Sequence, residues 1–157
     1  MEKIIEKFYL ENPSMERKND VIEYMNEHVK YNSAINGTGS FDHVLEGETY
    51  EECMDRYYKI QNNEYAKSID RCPGKTYFLI RKNDNKLIGM INIRHHLTPK
   101  MLVHGGHIGY GIRPTERRKG YNKINLYLGL LKALEEFNLD KVMLDCDVKN
   151  LGSDKTI

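Results

Sequence analysis

Residues 75–95 read KTYFLIRKNDNKLIGMINIRH, and no other stretch restricts the fold as strongly. Two runs rich in β-branched and aromatic residues flank a polar Asn-Asp-Asn-Lys turn, the pattern of a β-hairpin. An antiparallel pair therefore sits in the middle of the chain, and the flanking segments must be compatible with a sheet. KFYLEN alternates, with Phe8 and Leu10 on one face, and is expected to form a first strand. NPSMERKNDVIEYMNEHVKYNS carries Met15, Val21, Ile22, Met25 and Val29 at helical spacing, with Ser14 as a candidate cap. INGTGSFDH reads as a flexible connection. TYEECMDRYYKIQNNEYAK, with Tyr50, Cys53, Met54, Tyr57 and Tyr58, reads as a second amphipathic helix.

Beyond the hairpin, MLVHGGHIGYGIRP reads as a further strand interrupted by four glycines. GYNKINLYLGLLKALEEFNLD is a long helix, and KVMLDCDV a buried strand with Val142, Leu144 and Cys146 on one side. The order predicts a mixed α/β pattern with a strand–helix–strand unit near the end. At 157 residues the chain fits one domain, 1–157. Lys and Arg total 24 against 23 Asp and Glu, a balance that excludes a general nucleic-acid binder. No apolar run approaches the ~20 residues that span a bilayer, and no membrane partner is expected. The N-terminus MEKIIEKFYL is too charged and short for a secretory signal. Cys53, Cys72 and Cys146 are widely spaced and odd in number, which implies no disulfide framework and a reducing, cytoplasmic setting. His95, His96, His104 and His107 with the Asp-Cys-Asp run at 145–147 match no closed zinc pattern, so no metal is expected.

The junction RPTERRKGYN, Arg113–Asn122, feeds a strand into the long helix. The first N–H groups of a helix have no intrahelical partner, and its dipole favours negative charge there. Gly120 lets backbone approach a ligand, and Arg117, Arg118 and Lys119 add positive charge. Other phosphate motifs fail. PGKT at 73–76 ends like a P-loop, but the glycine required five positions before Gly74 is Ile69. The glycines of GGHIGYG lie within an apparent strand instead of opening a helix.

The stretch GHIGYGIRPTERRKGYNKINLYLGLLKALEEFNLDKVMLDCDVKN resembles the core of the GNAT superfamily of acyl-CoA-dependent N-acyltransferases. Their strand, R/Q-x-x-G-x-G/A, helix pattern reads here Arg117-Arg118-Lys119-Gly120-Tyr121-Asn122, with Asn122 where Gly or Ala is usual. The resemblance implies a GNAT-like, mostly antiparallel central sheet flanked by helices. It implies acetyl-CoA as cosubstrate, held by Tyr110, Gly111, Ile112, Arg117, Arg118, Lys119, Gly120, Tyr121, Asn122, Lys123 and Asn150. It further implies an oxyanion donor at the backbone N–H of Ile112, and a base at Asp145 or His107. The tyrosine that often serves as general acid falls at Ile157 and is absent. The acceptor side would be lined by the first two helices, where Tyr57, Tyr58 and Glu51 could receive a cationic amine.

In that family a helix and a last strand follow the position of Asn150; eight residues remain here. The expectation is a GNAT fold lacking its usual last helix and strand. A homodimer would cover Leu144, Cys146 and Leu151 at the edge. The expected function is acetyl transfer to a primary amine of a small molecule or peptide. The alternative is a non-catalytic module that binds acyl-CoA or a partner.

Overall fold

The computed structural model describes residues 2–145 and Thr156. Four strands form one antiparallel sheet in the order β1 (Phe8–Glu11), β2 (Gly74–Arg81), β3 (Lys86–Arg94) and β4 (Ile108–Ile112). Helices α1 (Glu2–Ile5), α2 (Lys18–Lys30), α3 (Tyr50–Lys59), α4 (Asn63–Ser68), α5 (Pro99–Val103) and α6 (Tyr121–Phe137) complete the element order. The hairpin 74–94 is the centre of the sheet. It is buried on both faces because its two sets of alternating side chains pack on different helices. Phe78, Ile80 and Met90 meet Val21 and Met25 of α2 and Cys53, Met54 and Tyr57 of α3. Tyr77, Ile91 and Ile93 meet Leu126 and Ala133 of α6, and Leu79 and Ile88 join Phe8, Ile112 and Ile124. Each fully buried Ile or Leu contributes roughly 1.5–3 kcal/mol. Leu87 and Met90 share a face despite their odd spacing, because the register slips where Ile80 pairs with Leu87 and Leu79 with Gly89.

Several expectations change. Ser14 stands before a 3₁₀ turn (Met15–Arg17), and its side chain makes no cap hydrogen bond. Its carbonyl accepts from the Tyr50 hydroxyl at 2.8 Å. The buried face of α2 is Val21, Tyr24, Met25 and His28, whereas Met15, Ile22 and Val29 are exposed. The second helix is two: α3, opened by a capping box between Thr49 and Glu52, and the short α4. The segment 99–112 is not one strand. Thr98 accepts from Met101 N–H and Pro99 follows it, so a short helix forms before β4.

The Gly-rich connection is wedged, not loose. Gly37 has φ +76°, and a Cβ there would stand 2.5 Å from Tyr110 Cα. Residues 141–145 form no strand. Val142 and Leu144 are half-buried against the α6 side of the sheet, and the Met143 backbone exchanges hydrogen bonds with His107. Cys146 and Leu151 lie outside the described residues. No helix among the described residues is long and apolar enough to cross a membrane.

Candidate functional site

The β4–α6 junction is braced from two sides. From α2, Glu27 Oε1 accepts from Thr115 N–H at 2.8 Å and from the Thr115 hydroxyl at 2.6 Å. Arg113, 2% exposed, donates to Glu23 at 3.1 Å and lies 3.3 Å from Glu27. From the hairpin, Arg81 donates to both oxygens of Glu116 at 3.0 and 3.2 Å, and Lys119 donates at 2.9 Å. Burial opposes ionisation of Glu116, but the Arg81 and Lys119 hydrogen bonds outweigh it and hold the carboxyl at about 2. Arg117 Nε donates back to Ile112 O at 2.9 Å, which closes the turn.

Above this brace the loop presents its polar groups outward. Arg117, Arg118 and Lys119 are exposed. Gly120 occupies the N-cap of α6 at φ +80°, with no side-chain cap and nothing within 4 Å of where a Cβ would stand. Arg118 also has positive φ, at +61°. Asn122 Oδ1 is buried and has no hydrogen-bond partner among the described residues. Uncapped helix N–H groups, open space over a glycine and a cationic rim fit a pyrophosphate-bearing ligand. Tyr121 serves the core as well, its ring 4.8 Å from Phe8. Lys123 is exposed, and Asn150 lies outside the described residues.

Behind the loop, Asn125 of α6 is fully buried and donates to Met90 O at 3.0 Å, with Gly111 O at 3.5 Å. It ties the helix to β3 and β4. Ile112 ends β4 with its side chain buried, and Tyr110 and Gly111 precede it on the same strand. His107 Nδ1 accepts from Met143 N–H at 2.9 Å. Burial, with Arg94 nearby, lowers its pKa, so the ring is neutral at pH 7 and carries its proton on Nε2. Asp145 Oδ2 accepts from Gly105 N–H at 3.0 Å and from His104 Nδ1 at 3.1 Å.

The sequence matches the acetyltransferase (GNAT) domain family over residues 15–157. The chain belongs to the GNAT acetyltransferase family. Solved GNAT structures share its fold. The ribosomal-protein-S5-alanine acetyltransferase of Vibrio fischeri superposes with a TM-score of 0.65 at 16% identity, covering 96% of this chain and 76% of its own. A ribosomal L7/L12 α-N-protein acetyltransferase in complex with coenzyme A gives 0.61 at 14% identity, with the same coverages. No curated protein matches the chain significantly in sequence.

The three residues expected on the acceptor side separate. Tyr57 is buried and lines a cavity of about 500 Å³. Tyr58 is 63% exposed and stands outside that cavity's lining. Glu51 pairs with Lys18 at 2.8 Å, and lines a separate depression with Glu48, Glu52 and Asp55. The acidic cluster is therefore occupied with local structure: Glu52 caps α3, and Glu48 binds Arg56 and His43. The residues the sequence reading passed over are Glu116, Asn125, Arg71 and Arg94. A lone acid inside a basic run and a lone amide inside an apolar helix are the signals for the first two.

Proposed function

We propose that this GNAT protein is an N-acetyltransferase that uses acetyl-CoA to acetylate a primary amine of a small molecule or peptide. The observation that carries the reading is the uncapped α6 N-terminus at Gly120, under a cationic rim and braced by Glu27 and Glu116. Acetyl-CoA, when bound, supplies an acetyl thioester whose acyl carbon is taken by the amine while coenzyme A leaves as the thiol. Residues 118–123 would hold its pyrophosphate through backbone N–H groups and Arg118. Arg117 shapes the turn through Ile112 O. The Ile112 N–H is the proposed oxyanion donor.

Of the two candidate bases the proposal keeps Asp145. His107 spends Nδ1 on the Met143 N–H, so its remaining nitrogen carries the proton and cannot take another. Its role here is to position 141–145. A cytoplasmic homodimer is part of the same proposal. Support for the dimer comes from α6, where Tyr127, Leu131 and Leu134 are exposed; light scattering at micromolar concentration should give twice the chain mass.

Thiol release from acetyl-CoA across a panel of primary amines tests the reading. Release with any amine supports transfer. Tight acetyl-CoA binding without release from any amine makes the protein a binding module instead. Asp145→Asn should lower kcat about 100-fold, within the range general bases contribute, and leave acetyl-CoA affinity within about twofold. Equal small effects of Asp145→Asn and His107→Gln would remove both from the chemistry.

A further inference from the structure

The cavity of about 500 Å³ lies between the α2–α3 connection, α3, the ends of β2 and β3, and the turn into α5. Its size suits a small ligand or a residue or two of peptide. Its charge is opposite to that of an acceptor side built around Glu51. Arg71, Arg94 and Lys100 line it, against one carboxylate, the exposed Asp70. Thr76 and Asn92 add neutral polar groups to the wall.

Neither arginine meets a carboxylate among the described residues. Arg71 donates to Ser40 Oγ at 2.7 Å and to Gly39 O at 2.6 Å. Arg94 donates to the carbonyls of Gly106 and Gly105 at 2.8 and 2.7 Å, and to Asn92 Oδ1 at 3.2 Å. These neutral partners hold the guanidinium groups in place without a contacting ion pair, although the Asp42 carboxylate acts on Arg71 at a distance. Elsewhere the protein pairs its buried and half-buried arginines with acids: Arg17 with Glu11, Arg56 with Glu48, Arg81 with Glu116, Arg113 with Glu27. Burial lowers the pKa of both, and a neighbouring guanidinium adds to the effect, Arg56 at Arg71 and Arg71 at Arg94. A half-buried charge without a contacting counter-ion is costly, and a ligand carboxylate would relieve it with charge-assisted hydrogen bonds.

The cavity also abuts the strand that leads to the α6 loop. Asn92 pairs with Gly109 in the sheet, and Arg94 Nη1 lies 3.5 Å from where a Gly109 Cβ would stand. Gly109 is three residues from Ile112, roughly 10 Å along a strand. A short spacer would thus join an anion in the cavity to an amine beside β4.

We infer that this arginine-lined cavity is the acceptor subsite and that it selects amines carrying an oxyanion group, with a carboxylate preferred. The inference rests on the transfer reading given above for its amine half, and on the cavity alone for its anion half.

Two assays separate those halves. In thiol release, 5-aminopentanoate should exceed pentylamine by about 10-fold or more in kcat/KM, the factor that one charge-assisted pair gives. 4-Aminobutylphosphonate distinguishes a carboxylate site from a phosphate site; a higher rate with it than with 5-aminopentanoate would overturn the carboxylate preference. Arg71→Gln should bring the 5-aminopentanoate to pentylamine ratio to within about threefold of one. Independently of activity, glutarate without acetyl-CoA should raise the melting temperature of the wild-type protein, whereas pentane-1,5-diol should not. If Arg71→Gln does not fold, the wild-type ligand pairs still decide. Equal kcat/KM for 5-aminopentanoate and pentylamine, or no stabilisation by glutarate, overturns the anion site. Glutarate stabilisation with no thiol release from any amine keeps the anion site and overturns transfer.

Discussion

The protein carries two concentrations of positive charge, and they are built in opposite ways. At the β4–α6 junction the cations Arg117, Arg118 and Lys119 are exposed, while the buried charges beneath them, Arg113 and Glu116, are paired. In the cavity beside α3 the arginines are themselves half-buried and hydrogen-bond only to carbonyl, hydroxyl and amide oxygens among the described residues. Exposed charges are screened and attract a ligand weakly, so at the junction recognition falls to backbone N–H groups. Charges in a cavity interact strongly and select by complementarity. The first region suits a large polyanion held along its backbone, and the second a single small group.

The strongest challenge to this contrast is on the cavity side. Gly37 carries the connection that walls it, at a φ only glycine adopts easily, against the backbone of Tyr110. Gly37→Ala should destabilise the protein by about 3 kcal/mol in urea unfolding. A loss below about 1 kcal/mol would show the connection to be loose, and the cavity poorly defined.

Next is the brace. Glu116→Gln should lower stability at pH 7 by about 2 kcal/mol. The folded pKa of Glu116, about 2, lies below the usual 4.5. Its stabilisation is therefore complete above pH ~5 and fades as pH falls from 4.5 toward 2. The variant should converge with wild type across that window. A constant difference down to pH 2 would mean that the pairing is not what Glu116 contributes.

The loop itself follows. Gly120→Val forces a β-branched residue to positive φ at the N-cap of α6, and should weaken acetyl-CoA binding about 10-fold, or ~1.4 kcal/mol, by calorimetry. Smallest is Arg118→Ala, at about 0.5 kcal/mol at low salt, fading in high salt. If Arg118→Ala exceeded Gly120→Val, side-chain charge and not backbone would carry the junction.

The elements that sequence made legible are those whose local pattern decides their structure. The hairpin has a period of two and a polar turn, and α6 has a long helical run after a glycine; both form where expected. The misreadings came where local chemistry serves two structures equally. Glycines at 37 and 39 suit a flexible linker or a close approach, and the neighbouring strand, invisible in sequence, decides. Tyr24 and His28 look polar beside Ile22 and Val29, yet they take the buried face of α2, with rings 4.6 Å apart. The β4–α6 junction could be picked out because its residues are contiguous. The cavity could not, since Arg71 and Arg94 meet only after β2 and β3 pair.

The central claim is that the α6 N-terminus holds the pyrophosphate of acetyl-CoA through its backbone. Amide chemical shifts of the ¹⁵N-labelled protein titrated with coenzyme A test it most directly. The account predicts saturable shifts that are largest at Lys119, Gly120, Tyr121 and Asn122, with smaller ones along β4 at Tyr110–Ile112. Saturable shifts confined to other residues, or none in the 118–123 loop at millimolar coenzyme A, would contradict it.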